Sequence, residues 1–125
     1  MKTKTDPRHK KRREAVSLLF SYLFNKDQYF DPAVKAIIDN LEKIDKEIIA
    51  SAPEWPLERI NKIDLSILRL AVFELLIKKT EPPKVIIDEA VELGKEFGSE
   101  NSAPFINGVL GDVWKKNDLK STPTN

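Results

Sequence analysis

Apolar residues return every third or fourth position through nearly the whole chain, and proline-marked breaks interrupt them. Ala15, Leu18, Leu19, Tyr22 and Leu23 fall on one helical stripe, as do Val34, Ile37, Ile38, Leu41, Ile44 and Ile48. Ile60, Ile63, Ile67, Leu68, Ala71 and Leu75 form a third stripe, and Phe105, Val109, Leu110 and Val113 a fourth. No stretch sustains the period-two alternation of a half-buried strand. Asp31-Pro32 reads as an N-cap followed by proline at the first helical position. Pro53 and Pro56 bracket Trp55 in a tight connection, Asp64 can cap a helix starting at Leu65, and Pro82-Pro83 forbids helix across that joint. Ser102 with Pro104 begins the last helix. The pattern predicts helices near 10–25, 32–50, 56–62, 65–79, 84–97 and 102–117. The fold class is therefore all-α: two small helical bundles packed together, with about six to seven helices. Leu19, Ile38, Leu41, Ile67, Leu68, Ala71, Val91 and Val109 are its expected core.

Charge divides the chain differently. The net charge of the 125 residues is +1, but residues 1–13 hold seven Lys/Arg against Asp6 alone. The remainder is acidic. This pattern predicts a flexible basic arm over 1–13, a single all-helical domain over 14–117 and a polar tail over 118–125. Such an arm suits a polyanion. There is no cysteine, which excludes disulfides and thiolate metal sites. No apolar run approaches the roughly 20 residues of a membrane span. "AVSLLFSYLF" is broken by Ser17 and Ser21 and lacks the cleavage site of a signal peptide, so a cytoplasmic location is expected.

Catalysis has little to work with. The one histidine, His9, lies in the basic segment with no visible scaffold, and reads as another polar, partly cationic group. Asp88, Glu92 and Glu96 share a helical stripe beside Glu89, and read as a solvated face or a surface for a cationic partner. No second helix supplies the Glu-x-x-His that a carboxylate metal site needs. Neither a P-loop nor a Gly-rich dinucleotide turn is present. Gly94 and Gly108 lie inside helical patterns, where glycine costs about 0.5–1 kcal/mol relative to alanine, and predict close helix–helix approach. Gly98 reads as a helix stop. The expectation is a non-enzyme without metal or cofactor.

Three later segments, "WPLERINKIDLSILRLAVFELL" (55–76), "PPKVIIDEAVELGKEF" (82–97) and "ENSAPFINGVLGDVW" (100–114), follow one another with short spacers. Together they resemble the NusB family of transcription antitermination factors. The likeness runs through Arg59, Ile63, Asp64, Leu68, Arg69 and Glu74, then Lys84, Glu89, Ala90, Glu92 and Phe97, then Ser102, Phe105, Asn107 and Gly108. Near the N-terminus, Arg12, Ala15, Val16, Leu19 and Phe20 match the family's first motif. Coverage is residues 8–114, weakest over 25–54, which is shorter than the family's usual length.

The resemblance implies a partnership with the ribosomal small-subunit protein NusE, joint binding of single-stranded boxA RNA in ribosomal RNA transcripts, and help to RNA polymerase, with other Nus factors, in resisting termination. It implies RNA contacts at Arg8, Lys10, Lys11, Arg12, Arg13, Phe20, Phe97 and Asn101, and partner contacts at Asp64, Glu74, Glu100 and Asn101. Clustered cations that neutralise phosphates and rings that stack on bases suit that role. Four positions depart from the family: Phe20 and Phe73 stand where tyrosine is usual, Gly94 where alanine is, and Asn101 where an acid is familiar. The alternative is a stand-alone RNA-docking domain related to the N-terminal part of ribosomal RNA cytosine methyltransferases.

Overall fold

The computed structural model describes residues 6–119. Six α-helices run in order: α1 Pro7–Tyr22, α2 Pro32–Asp39, α3 Leu41–Ser51, α4 Lys62–Phe73, α5 Pro83–Phe97 and α6 Ser102–Lys116. A 3-10 turn at Leu57–Arg59 precedes α4, and a π-helical turn at Glu74–Lys78 extends it. There is no strand among the described residues.

The sequence signals act where they stand. Asp31 Oδ1 accepts from the Val34 amide at 2.9 Å, with Pro32 opening α2. The same Asp-Pro device opens α1: the Asp6 carboxylate accepts from the Arg8 amide at 2.8 Å, and Pro7 is the first helical residue. The expected loose arm over 1–13 is corrected here, since Pro7–Arg13 is helix. Residues 1–5, and 120–125 of the expected tail, lie outside the described residues. α4 begins at Lys62, capped by Asn61, whose Oδ1 accepts from the amides of Ile63 and Asp64, so Asp64 sits within the first turn and is not the cap. The single helix expected over 32–50 breaks at Asn40. Its side-chain amide donates to the Ala36 carbonyl at 2.7 Å, competing with the backbone ladder.

α4 lies at the centre. Every residue from Asp64 to Val72 is buried, as befits a helix surrounded on all sides, and α1, α3, α5 and α6 pack against it. One continuous core joins Leu19 and Val16 of α1, Ile44 and Ile48 of α3, Ile67 and Leu68 of α4, Leu93 of α5, and Ile106 and Leu110 of α6. Ile38, Leu41 and Val91, expected inside, are only partly buried against it. In α1 the buried face is rotated from the predicted stripe. It runs His9, Arg12, Val16, Leu19, while Ala15, Leu18, Tyr22 and Leu23 flank it.

The two helical glycines differ. At Gly94 an added Cβ would stand 2.8 Å from Ile106 Cδ1 and 3.5 Å from Ala103, so glycine permits the close approach of α5 to α6. At Gly108 nothing lies within 4 Å, which overturns the expectation of a tight helix crossing there.

Candidate nucleic-acid interface

The buried face of α1 carries two charged groups where its apolar stripe continues toward the N-terminus. Arg12 is 7% exposed and His9 8%. Carboxylates from the body take four of the five N–H donors of the Arg12 guanidinium. Its Nε donates to Glu74 Oε2 at 3.0 Å, and its Nη2 to Glu74 Oε1 at 2.5 Å and Glu81 Oε2 at 2.8 Å. Nη1 reaches Glu89 Oε1 at 3.4 Å. Burial alone favours the neutral guanidine, but the hydrogen bonds and charges of Glu74 and then Glu81 outweigh it and hold Arg12 more firmly charged than usual. His9 bridges the same cluster to α5: Nδ1 lies 3.2 Å from Glu89 Oε1 and Nε2 3.2 Å from Glu96 Oε2.

The other arginines of the segment face outward. Arg8 pairs loosely with Asp6 at 3.6 Å, its side chain 69% exposed. Arg13 lies on the α5 side, with Nε 3.0 Å from Glu96 Oε1 and its guanidinium 5.5 Å from the centre of the Phe97 ring. Glu96 thus bridges His9 below and Arg13 above. Lys10 and Lys11 are exposed, and Phe97 keeps 39% of its surface accessible. Phe20 of α1, partly buried, meets Phe24 at 5.2 Å between ring centres. Asn101 and Glu100 are exposed in the link between α5 and α6.

The expected contact set therefore divides. Arg8, Lys10, Lys11, Arg13, Phe97 and Asn101 are open to solvent or partly so, and Phe20 is partly buried. Arg12 is not open, because three glutamates occupy its guanidinium. Glu74, expected on a partner surface, is instead Arg12's principal counter-ion and 6% exposed. Asp64 is likewise 6% exposed, its Oδ1 meets no donor, and burial raises its pKa against the opposing Ser102 hydroxyl. Of the expected partner contacts, Glu100 and Asn101 lie at the surface.

Sequence reasoning missed Glu81, Glu89 and His9 as parts of one cluster. A signal was present. His9, Arg12, Val16 and Leu19 are spaced as one helix face, and Glu89 shares a face with Ile86, Ala90 and Leu93. A charge on an apolar stripe predicts a buried partner of opposite sign.

The NusB family model matches residues 9–115. The chain belongs to the NusB family. The transcription antitermination protein NusB of Clostridium novyi is 35% identical over 130 aligned positions, covering 86% of this chain and 98% of that protein. NusB of Pseudothermotoga lettingae is 49% identical over 82 positions, 66% of this chain and 59% of its own. Among solved structures, T. maritima NusB superposes with a TM-score of 0.80 at 34% identity, over 93% of this chain and 94% of its own. A chain in the crystal structure of a plectonemic RNA supercoil aligns with a TM-score of 0.73 at 24% identity, over 91% of this chain and 98% of its own, which bears on the fold alone. The matched residues include the buried cluster and the exposed Lys10, Lys11 and Arg13, and begin just after Arg8. No helix among the described residues is long and apolar enough to cross a membrane.

Proposed function

We propose that this NusB-family chain is a non-catalytic RNA-binding adaptor. It binds single-stranded boxA-type RNA together with the ribosomal protein NusE, and the complex helps RNA polymerase resist termination. The observation that carries the reading is the set of exposed cations along both flanks of α1, fixed in a helix by the buried Arg12 cluster. Arg8, Lys10, Lys11 and Arg13 present charge to a phosphate chain from a preordered scaffold, so little ordering entropy opposes binding. Phe97, beneath the Arg13 guanidinium and still partly exposed, offers a stacking face. A basic partner would meet the acidic body at Glu100 and Asn101. Asp64, beside Ser102 at the start of α6, would support that face from beneath without touching the partner, whereas Glu74 is held by Arg12.

The test is fluorescence anisotropy with labelled boxA RNA, with and without NusE. RNA alone should bind with a marked salt dependence, and NusE should tighten it. By linkage, RNA must tighten NusE binding by the same factor, typically about 1–3 kcal/mol. Equal RNA affinity with and without NusE would remove the adaptor role, and absence of RNA binding in both would remove the whole reading.

A further inference from the structure

The α2-facing flank of α1, which carries Arg8 and Lys11 of the exposed cations, also borders a cavity. Arg13 turns toward α5, whereas Arg8, Lys11 and Ala15 turn toward α2 and line a half-enclosed cavity of about 210 Å³. Its apolar wall is made by Ala33, Val34 and Ile37 of α2 with Leu70 and Phe73 of α4, and Lys78 of the π-helical turn stands at its edge. That turn is closed by the Lys79 amide on the Glu74 carbonyl at 2.8 Å, with Lys79 in the left-handed region at φ 54°. π-turns of this kind cluster at functional sites.

The charges around the cavity are unequal. Its two carboxylates, Glu74 and Glu81, are both taken by Arg12. Lys11 and Lys78 are exposed and have no ion-pair partner among the described residues. A ligand entering here meets unneutralised cations at the rim and an apolar floor that includes the partly buried Phe73 ring. The volume lies below the roughly 300–1,000 Å³ of drug-sized sites, so it admits one planar ring system and little more.

We propose that this cavity is a pocket for the base of a nucleotide, with the base against Phe73 and the phosphate on Lys11 and Lys78. The base exchanges water for an apolar wall, and the phosphate finds cations that no carboxylate among the described residues neutralises. Two sources share this chemistry: one nucleotide of an RNA strand already held by α1, or a free nucleoside monophosphate. The first rests on the RNA-binding reading above, and the second does not.

Two variants probe the pocket from exposed positions away from the Arg13 flank: Ala33→Trp, which fills it, and Lys78→Glu, which reverses its rim. Circular dichroism melts establish that each is folded. RNA affinity is read by anisotropy. Free binding is read from amide shifts of the wild type on adding adenosine or uridine 5′-monophosphate. If a strand nucleotide occupies the pocket, both variants lose about 5- to 100-fold in RNA affinity, the loss expected for one displaced stacked base. If the ligand is free, RNA affinity is unchanged, and the monophosphates shift the amides of Ala33, Val34 and Lys78 in the wild type but not in Ala33→Trp. A loss in Lys78→Glu alone, without monophosphate shifts, is a general charge effect and overturns the pocket. Unchanged RNA affinity with no shifts overturns it too. Should the wild type bind no RNA, the RNA reading fails by itself, and the monophosphate titration alone decides the pocket.

Discussion

Arg12 and Arg13 are neighbours with the same side chain, yet helix geometry sends them to opposite environments. Arg12 points inward, where Glu74, Glu81 and Glu89 take four of its five N–H donors. Arg13 points outward over Phe97, held by a single carboxylate oxygen of Glu96. A buried charge is tied to its partners because losing one leaves the others desolvated, whereas a surface charge can exchange its partner for a phosphate at small cost. A basic run is thus not one functional unit. One face of α1 fastens the helix to the body, and the other is free to meet a polyanion.

The largest expected effect breaks the inner half of that contrast. Arg12→Ala leaves Glu74, Glu81 and Glu89 without their shared cation and should cost about 3–5 kcal/mol of stability by urea denaturation. A loss below about 1 kcal/mol would show that the cluster is not the fastening. Leu68→Ala, in the purely apolar part of the same core, should cost about 2–5 kcal/mol. It calibrates how much of the Arg12 effect is charge and how much is packing.

The fold was largely legible in the sequence, and the division of α1 was not. The apolar stripes placed α4 and α6 within a few residues because one period dominates each of them, and Pro82-Pro83 and Gly98 bounded α5. The start of α1 was also readable, since Asp6-Pro7 repeats the Asp31-Pro32 signal that located α2. The density of positive charge after Pro7 masked it. The partners of Arg12 lie 62, 69 and 77 residues away, and no local pattern connects positions so distant. Asn40 and the π-turn at Glu74–Lys78 escaped notice for a different reason: both alter a helix without breaking its apolar period. Of the candidate contacts, the exposed cations, Phe97 and Asn101 suit their proposed roles. Arg12, Glu74 and Asp64 do not, because a residue type identifies a charge and leaves its side of the helix open.

A smaller effect concerns a buried charge with no cation beside it. Burial raises the Asp64 pKa above the ordinary value of 3.8, so folding takes up a proton there between the unfolded and folded values. Ionised Asp64 therefore weakens the fold at neutral pH, and the penalty fades as pH falls through the folded value. Asp64→Asn should be more stable than the wild type at pH 7, with the difference shrinking toward pH 3.8. A difference that stays constant across that range would show that the carboxylate is not the cause.

The smallest stability effect sharpens the outer half. Arg13→Ala should change stability by less than about 0.5 kcal/mol, because its ion pair is partly exposed. The same logic covers exposed Lys10, so the double variant Lys10→Ala/Arg13→Ala should melt close to the wild type.

That double variant gives the most direct test of the division: its affinity for single-stranded boxA RNA, measured by anisotropy across a salt series beside the wild type. Two lost phosphate contacts should flatten the log–log salt slope by about 1.4, at about 0.7 per contact, while the thermal melt stays in place. An unchanged slope with unchanged affinity would mean that the outward face of α1 does not meet the RNA, and the two faces would then differ only in burial.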